Sequence, residues 1–327
     1  MPALPVFGAD AGWGGMTRSS VVDLVGVGLN ATDTIIPVPE YPARGSKVAF
    51  RSANILPGGQ VASAVAACAQ WGLRTRYVGK VGDDAAGELH REEFARLGVE
   101  AHLVVAEGCP SQQAFILVDD KGERTVLWKR DERLKLRAEE LQRDWVVDAR
   151  VLHVDGHDTA AAAMAADWAH DAGVPVVADL DELYPGVEEL LPKLDYFVSS
   201  RDIPGRLTGE PDLRKALLEV RERYGCVLAA ATLGEEGVLA WDGVKFWHAA
   251  AYRVKVLDSI GAGDIFHAGF IYGLLQGWGM QRQLDFACAA AALNCMAVGA
   301  RGGVQPVECI EKLMAIGERY SSDSALG

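Results

Sequence analysis

The stretch Asp258-Ser-Ile-Gly-Ala-Gly-Asp264 places a glycine-rich turn and a carboxylate directly before an apolar helical pattern. Gly261, Ala262 and Gly263 carry small or no side chains, so their backbone N–H groups can turn inward without Cβ clashes. A glycine-rich turn that opens a helix binds anions through its free N–H groups and the helix dipole. Asp264 would repel a phosphate there, but it suits a general base that takes a proton from an attacking hydroxyl. An aspartate that only caps the helix is an equally simple structural alternative.

The sequence around this stretch predicts an α/β protein with a doubly wound, mostly parallel sheet. A strand-like run, 252–257, precedes the turn, and apolar residues spaced by four follow it in 265–275. The first strand, 21–28, is apolar on both faces and therefore central. From position 151 strands alternate with helices, which predicts right-handed βαβ units. The expected elements are strands near 152–154, 174–179, 195–199 and 226–231, helices near 61–71, 88–97, 159–172, 212–224 and 284–298, and a hairpin of 112–118 with 124–129.

Composition limits the class of protein. The 327 residues are half hydrophobic and carry a net charge of −13, which argues against general nucleic-acid binding. No apolar run reaches the length of a membrane span, and the N-terminus lacks a signal-peptide pattern. Residues 1–20 are predicted to form a loose extension, and Met16 could be the true start. The six cysteines form no C-x-x-C pair, which favours reduced thiols in the cytoplasm.

The turn and the residues up to Phe270 resemble the C-terminal signature D-T-x-G-A-G-D of the ribokinase-like (PfkB-type) carbohydrate kinases, with Ser259 in place of the usual Thr. Two more patterns resemble the family: the glycine pair that opens the helix at 57–60, followed by G-x-V-G-D-D-x-x-G at 79–87, and T-x-G-x-x-G at 232–237. The resemblance covers about residues 21–315. It implies one kinase domain over 21–320, with a discontinuous β lid formed by about 34–57 and 111–130.

The resemblance also implies site residues and ligands. ATP and Mg²⁺ are the expected cofactors, no protein metal ligand is assigned with confidence, and a K⁺ requirement near the 297–302 loop and a homodimer are left open. Asp264 is the expected base, beside an anion hole of Gly261, Ala262 and Gly263. The expected sugar-binding residues are Asp33, Gly58, Gly59, Gln60, Ser63 and Asp155, although many members carry Asn where Ser63 stands. The expected nucleotide-binding residues are Thr232, Gly234, Gly237, Asp258, Ser259 and Asn294.

One departure from the family concerns the N-x-x-E motif, where this chain has Ser200 and Ile203. The Ser200-Arg-Asp202 run and the 295–303 ending are more similar to ketohexokinase and sulfofructose kinase than to ribokinase. A ketose or ketose derivative is therefore the expected substrate. Arg130 or Arg301 could serve an anionic substituent.

Two alternatives remain at this point. Gly26-x-Gly28-x-x-Ala31 follows a strand and resembles a dinucleotide-binding pattern, but three prolines in 32–42 oppose the helix that a nicotinamide-dependent oxidoreductase needs next. The loss of the N-x-x-E motif gives the second alternative, which is a catalytically weak regulatory protein that binds sugar or nucleotide. Retention of Asp264 argues against that second alternative. The chain has no Walker A motif, so it is not a P-loop kinase.

Overall fold

The computed structural model describes residues 22–50, 52–120 and 124–321. The predicted extension at 1–20 lies outside the described residues. Among the residues described, no helix has both the length and the apolar character needed to cross a bilayer.

The larger sheet contains nine strands within this part of the chain, in the order β13-β12-β11-β10-β9-β8-β1-β4-β5. All neighbouring strands are parallel except β11/β12 and β12/β13, which are antiparallel. As its apolar sequence predicts, β1 is buried and lies between β4 and β8. The strands are β1 (Val22–Val27), β4 (Thr75–Gly82), β5 (Glu100–Ala106), β8 (Ala149–Asp155), β9 (Val176–Leu180), β10 (Tyr196–Ser200), β11 (Leu228–Thr232), β12 (Val238–Trp241) and β13 (Phe246–Ala249).

Helices cover both faces of this sheet, which confirms the doubly wound α/β fold. The helices are α1 (Gln60–Gln70), α2 (Ala85–Leu97), α3 (Thr159–Asp171), α4 (Val187–Leu190), α5 (Ile203–Thr208), α6 (Leu213–Tyr224), α7 (Ala262–Leu275), α8 (Met280–Asn294) and α9 (Val307–Ile316). One buried core joins α1, α7 and α8 to one face, and a second core joins α3 and α6 to the other. The alanine-rich sequences of α1 and α3 let these helices pack closely on the strands.

A separate four-stranded sheet has the order β3-β2-β6-β7. Its strands are β2 (Ala31–Pro37), β3 (Asn54–Gly58), β6 (Gln113–Val118) and β7 (Arg124–Lys129). They come from two insertions, one between β1 and α1 and one between β5 and β8. The inner face of this small sheet packs through Ile35, Ala114 and Ile116 against Ile260 and Ala300. The small sheet therefore lies over the glycine-rich turn.

The dinucleotide pattern has a structural explanation. The strand β2, not a helix, follows Gly26-x-Gly28-x-x-Ala31. A Cβ on Gly26 would lie 2.4 Å from a methyl of Val65 and 2.6 Å from one of Val61, so this glycine lets α1 pack on β1. The nicotinamide alternative loses its sequence support.

Two predicted elements were wrong in part. The run 252–257 is not a strand, because its backbone pairs elsewhere: Arg253 N donates to Glu318 O, and Leu257 N donates to Cys295 O. The helix predicted over 284–298 begins at Met280 and ends at Asn294, since the chain then turns to bring 299–303 back over the helix end.

Candidate active site

The glycine-rich turn has the conformation that its sequence predicts. Gly261 precedes α7 with φ of 73°, in the left-handed region that favours glycine. A Cβ on Gly261 would lie 1.9 Å from the carbonyl oxygen of Ala300, so no other residue fits there without a backbone shift. Asp264 lies in the first turn of α7, where N–H groups lack intrahelical acceptors. Of these groups, the Ala262 N–H donates to Ser259 O at 3.3 Å.

Two buried polar residues hold this turn against the 299–303 loop. The Asp258 carboxylate accepts from Ile260 N and from Gly299 N, each at 2.8 Å. The Asn294 amide donates to Ile260 O (3.3 Å) and Ala300 O (3.0 Å) and accepts from Gly303 N (3.1 Å). Both residues were predicted to bind nucleotide, and in this structure their polar groups fix the shape of the two loops.

A cavity of about 800 Å³ opens beside the turn. It lies between the small sheet, the β11–β12 turn, the segment after Ala250 and the end of α8. The predicted nucleotide residues that line it are Thr232, Gly234, Gly237, Asp258 and Ser259, together with Ala262 and Gly263 from the turn. Its apolar wall includes Val254, Val256, Leu257, Ala291 and Ala292. Asn294 does not line the cavity and is fully buried. The shape suits a flat apolar ring at one end and anionic groups at the glycine turn.

A second group of predicted site residues surrounds Asp33 on β2. A Cβ on Gly58 would lie 2.2 Å from Asp33 Oδ2, so this glycine makes room for the carboxylate. Gly59 has φ of 93° and packs on the backbone of Asn30, which fixes the start of α1 and the position of Gln60. Burial raises the pKa of Asp33 to about 7, and the neighbouring charge of Asp264 adds to the effect.

The charge of Asp264 acts on Asp33, so the two carboxyl groups lie near each other. Burial raises the pKa of Asp264 to about 6, and the charge of Asp181 raises it further, while the nearby Ser63 hydroxyl and the Arg301 guanidinium act in the opposite direction. A carboxyl with this pKa is mostly ionised at neutral pH and is still a strong enough base to accept a hydroxyl proton in a transition state.

Asp155, predicted to contact substrate, is almost fully buried at the end of β8. Its two oxygens accept from Leu29 N at 2.7 Å and from His157 N at 3.0 Å. Burial raises its pKa to about 7. The carboxylate ties the chain after β1 to the chain after β8, and a substrate contact stays a prediction.

Some residues near Asp264 were missed in the sequence. His267 Nδ1 donates to Gly263 O at 2.8 Å and lies 3.2 Å from Asp179 Oδ2. Burial lowers the pKa of His267 to about 4, so the ring is neutral. A histidine within the apolar run of α7 was the available signal. In addition, Arg124 Nη1 on β7 donates to Ser259 Oγ at 3.3 Å, which joins the small sheet to the turn.

The two arginines considered for an anionic substituent are already paired. Arg130 Nη2 lies 2.6 Å from Asp158 Oδ2, and Arg301 Nε donates to Glu93 Oε1 at 3.2 Å. Among the residues described, no group of three or more His, Cys, Asp or Glu side chains could hold a metal ion.

The site combines a glycine turn at a helix start with a buried carboxylate and a covering small sheet, at the edge of a doubly wound α/β sheet. These features are the ones expected of a nucleotide-dependent phosphotransferase. The family model for pfkB family carbohydrate kinases matches residues 21–306. The chain belongs to this family and is therefore an ATP-dependent sugar kinase.

Individual relatives support this assignment. The chain is 29% identical to a fructoselysine 6-kinase of Escherichia coli (strain K12), over 72% of this chain and 89% of that one. It is 26% identical to a 5-dehydro-2-deoxygluconokinase of Clostridium perfringens, over 90% and 91% of the two chains. The solved Arabidopsis thaliana ribokinase, complexed with ribose and ATP, superposes with a TM-score of 0.78 at 24% identity and covers 91% of this chain and 100% of its own. That last likeness shows the fold.

Proposed function

We propose that this sugar kinase transfers the γ-phosphoryl group of ATP to a hydroxyl of a ketose or ketose derivative, with Asp264 as the general base. The observation that carries the proposal is the position of Asp264 in the first turn of α7, beside the glycine turn and close enough to Asp33 for its charge to act on that carboxyl. The similarity to a fructoselysine 6-kinase, together with the 200–202 and 295–303 runs, supports a ketose derivative.

The proposed division of labour follows from the two ends of the cleft. Asp33 accepts hydrogen bonds from sugar hydroxyls, and Gly58, Gly59 and Gln60 shape the space around them. Asp264 takes the proton of the attacking hydroxyl as the new P–O bond forms. The N–H groups at the start of α7 stabilise the charge on the transferred phosphoryl group. Bound with ATP, Mg²⁺ would supply further neutralisation of phosphate charge, and we assign it no protein ligand.

The small sheet is proposed to act as a lid that excludes water from the reaction. The contact between Arg124 and Ser259 supports this role, because it joins the sheet to the phosphate end of the cleft. The buried packing of Ile35 and Ile116 over Ala300 supports it as well. The lid boundaries, about 34–57 and 111–130, stay a prediction.

We further propose that the outer face of the lid pairs in a homodimer. Ile55, Phe115 and Leu127 lie in register across β3, β2, β6 and β7, and they are 63%, 45% and 60% exposed. Three large apolar side chains in one row are a typical interface feature. Sedimentation analysis of the wild type and of Leu127→Lys would test the pairing, and a monomeric wild type would contradict it.

Two other properties stay predictions. A K⁺ requirement near Asp258 and the 297–302 loop is tested by comparing turnover in KCl with turnover in NaCl. A cytoplasmic location is supported by the six cysteines, all of which are free. Fractionation of cells that express the protein would test the location.

The decisive experiment measures ADP release with Mg²⁺-ATP across ketoses, aldoses, keto acids and nucleosides, with Asp264→Asn beside the wild type. We expect sugar-dependent release that falls by at least about 10²-fold in kcat in the variant. An unchanged kcat would remove the base assignment. ATP binding without turnover of any sugar would favour the regulatory alternative, which the buried Ile203 in place of the family Glu supports.

A further inference from the structure

His267 is a buried polar residue inside an apolar part of α7. The other residues of 265–271 are buried and apolar or glycine, and His267 itself is 2% exposed. Its Nδ1 lies 2.8 Å from Gly263 O and 3.2 Å from Asp179 Oδ2. Because a carbonyl oxygen can only accept, Nδ1 carries the ring proton and donates it to Gly263 O. Within the described residues Asp179 Oδ2 has no hydrogen-bond partner, so the nearer carbonyl oxygen takes this proton.

The second ring nitrogen argues against a side chain that only fills the core. His267 Nε2 is buried, and no residue in the described part of the chain forms a hydrogen bond with it. Burial lowers the pKa of His267 to about 4, so the ring is neutral and Nε2 is an unpaired acceptor. A buried acceptor without a donor costs free energy, which an apolar side chain would avoid. The polar contribution of this histidine therefore lies in the hydrogen bond that Nδ1 donates.

The carbonyl group that receives this hydrogen bond belongs to the same peptide group as the N–H of Asp264. A peptide group is planar, so fixing the Gly263 carbonyl oxygen also fixes the direction of the Asp264 N–H. The hydrogen bond also polarises the peptide group, which makes its N–H a stronger donor. Across residues 22–50, 52–120 and 124–321, backbone carbonyls accept from Ala262 N and Ile265 N but not from Asp264 N. The Asp264 N–H is thus available to an anion at the glycine turn.

We propose that His267 is a positioning residue for phosphoryl transfer, which holds the Gly263–Asp264 peptide group so that the Asp264 N–H points at the transferred phosphoryl group. This inference rests on the proposed function, in which the N–H groups at the start of α7 stabilise charge on that group. His267 touches neither ATP nor sugar in this arrangement and acts only through the peptide group. Because the charge develops in the transition state, the effect falls on kcat rather than on either KM.

The test replaces His267 by Asn, Gln and Leu. The side-chain amide of Asn carries its nitrogen near the position of Nδ1, that of Gln near the position of Nε2, and Leu has no donor. ADP release with Mg²⁺-ATP and the sugar that the wild type uses best gives kcat and both KM values. We expect His267→Asn to stay within about threefold of the wild-type kcat. His267→Gln and His267→Leu should lower kcat about tenfold, with the KM values for ATP and sugar nearly unchanged.

His153 on β8 provides the matched control. Its ring centroid lies 5.8 Å from that of His267, and its Nδ1 donates to Val177 O at 3.1 Å, away from the glycine turn. His153→Leu therefore removes a similar group from a similar depth, and its kcat should equal that of the wild type. Thermal unfolding of each variant sets an assay temperature at which all are folded. His267→Gln repeats the comparison with a polar side chain in case the Leu variant does not fold.

The other outcomes overturn the inference in distinguishable ways. A wild-type kcat in His267→Gln and His267→Leu, whatever their unfolding temperatures, refutes it and leaves the kinase proposal standing. Equal losses of kcat in the Asn, Gln and Leu variants refute it as well, since the position of the donor would then not matter. A higher KM for ATP at constant kcat assigns His267 to ground-state nucleotide binding instead. An equal loss in His153→Leu traces the effect to core packing. Absence of ADP release with every sugar overturns the inference together with the proposed function.

Discussion

Replacing Asp33 by Asn should make the protein more stable and a poorer enzyme at the same time. Asp33 is 7% exposed, and burial together with the charge of Asp264 raises its pKa to about 7. A carboxyl whose pKa is higher in the folded protein than in the unfolded chain weakens the fold as pH rises from about 4 to about 7. A rise from 3.8 to about 7 corresponds to about 4 kcal/mol above pH 7, and this is an upper bound because neighbouring groups relax.

The assay is thermal unfolding at pH 8 and at pH 5. In Asp33→Asn the midpoint temperature should rise by several degrees at pH 8. The gain should be much smaller at pH 5, where folded Asp33 is already protonated. The sugar KM should rise by about 10²-fold, since a carboxylate accepts hydrogen bonds from hydroxyls that an amide meets only in part. The surface variant Asp167→Asn is the control for losing one negative charge.

A second readout separates the two effects. Added sugar should raise the unfolding temperature of the wild type, because ligand that binds only the folded state stabilises it. The same sugar concentration should change the midpoint of Asp33→Asn little. A variant that is less stable than wild type at pH 8, or a stability gain that is equal at pH 5 and pH 8, would refute the reasoning that Asp33 is a strained, unpaired carboxylate.

The remaining predictions concern the turn and its supports. The kcat/KM for sugar should rise from pH 5 to pH 7 as Asp264, with a pKa of about 6, loses its proton, and a profile that is flat over this range would contradict a titrating base. Gly261→Ala should cost at least about 1–2 kcal/mol of stability from its left-handed backbone, with kcat falling as Ala300 is displaced. In Gly263→Ala the new Cβ meets no atom within 4 Å, so this variant should unfold at the wild-type midpoint temperature. Equal midpoint temperatures for Gly261→Ala and Gly263→Ala would contradict the steric argument. Asn294→Ala should lower the free energy of unfolding by about 2–4 kcal/mol, because two buried carbonyl groups and one N–H lose their hydrogen-bond partner. The variant should also raise the KM for ATP. An unchanged unfolding temperature would show that water replaces the amide.

Much of the fold could be predicted from the sequence because the pattern of apolar residues is local. The continuous apolar run of β1 predicted a central strand, and the predicted helices at 61–71 and 212–224 begin and end within a residue or two of α1 and α6. The strand prediction for 252–257 was wrong because alternating apolar residues also occur where one side of a loop faces a cavity.

The sequence predicted where the candidate site lies, but it did not predict the hydrogen bonds and ion pairs that hold the site together. The glycine turn and Asp264 form one local motif, so the sequence places them together. Asp258 and Asn294 hold backbone groups of a loop up to 41 residues away, and Arg301 pairs with Glu93 across 208 residues. No local pattern encodes such partners. The sequence therefore could not predict that both candidate arginines are occupied.

The route of the chain through the small sheet has an evolutionary consequence. The insertion between β1 and α1 carries Asp33 on β2 and Gly58 on β3, and the insertion between β5 and β8 supplies the other two strands of the small sheet. Asp264 and Gly261 belong to the separate β/α framework. On the proposed assignment, the inserted strands contribute Asp33 and Gly58 to acceptor binding, while Asp264 and the glycine turn come from a different stretch of the chain. Changes confined to the inserted strands can therefore alter the surroundings of Asp33 without altering the glycine turn.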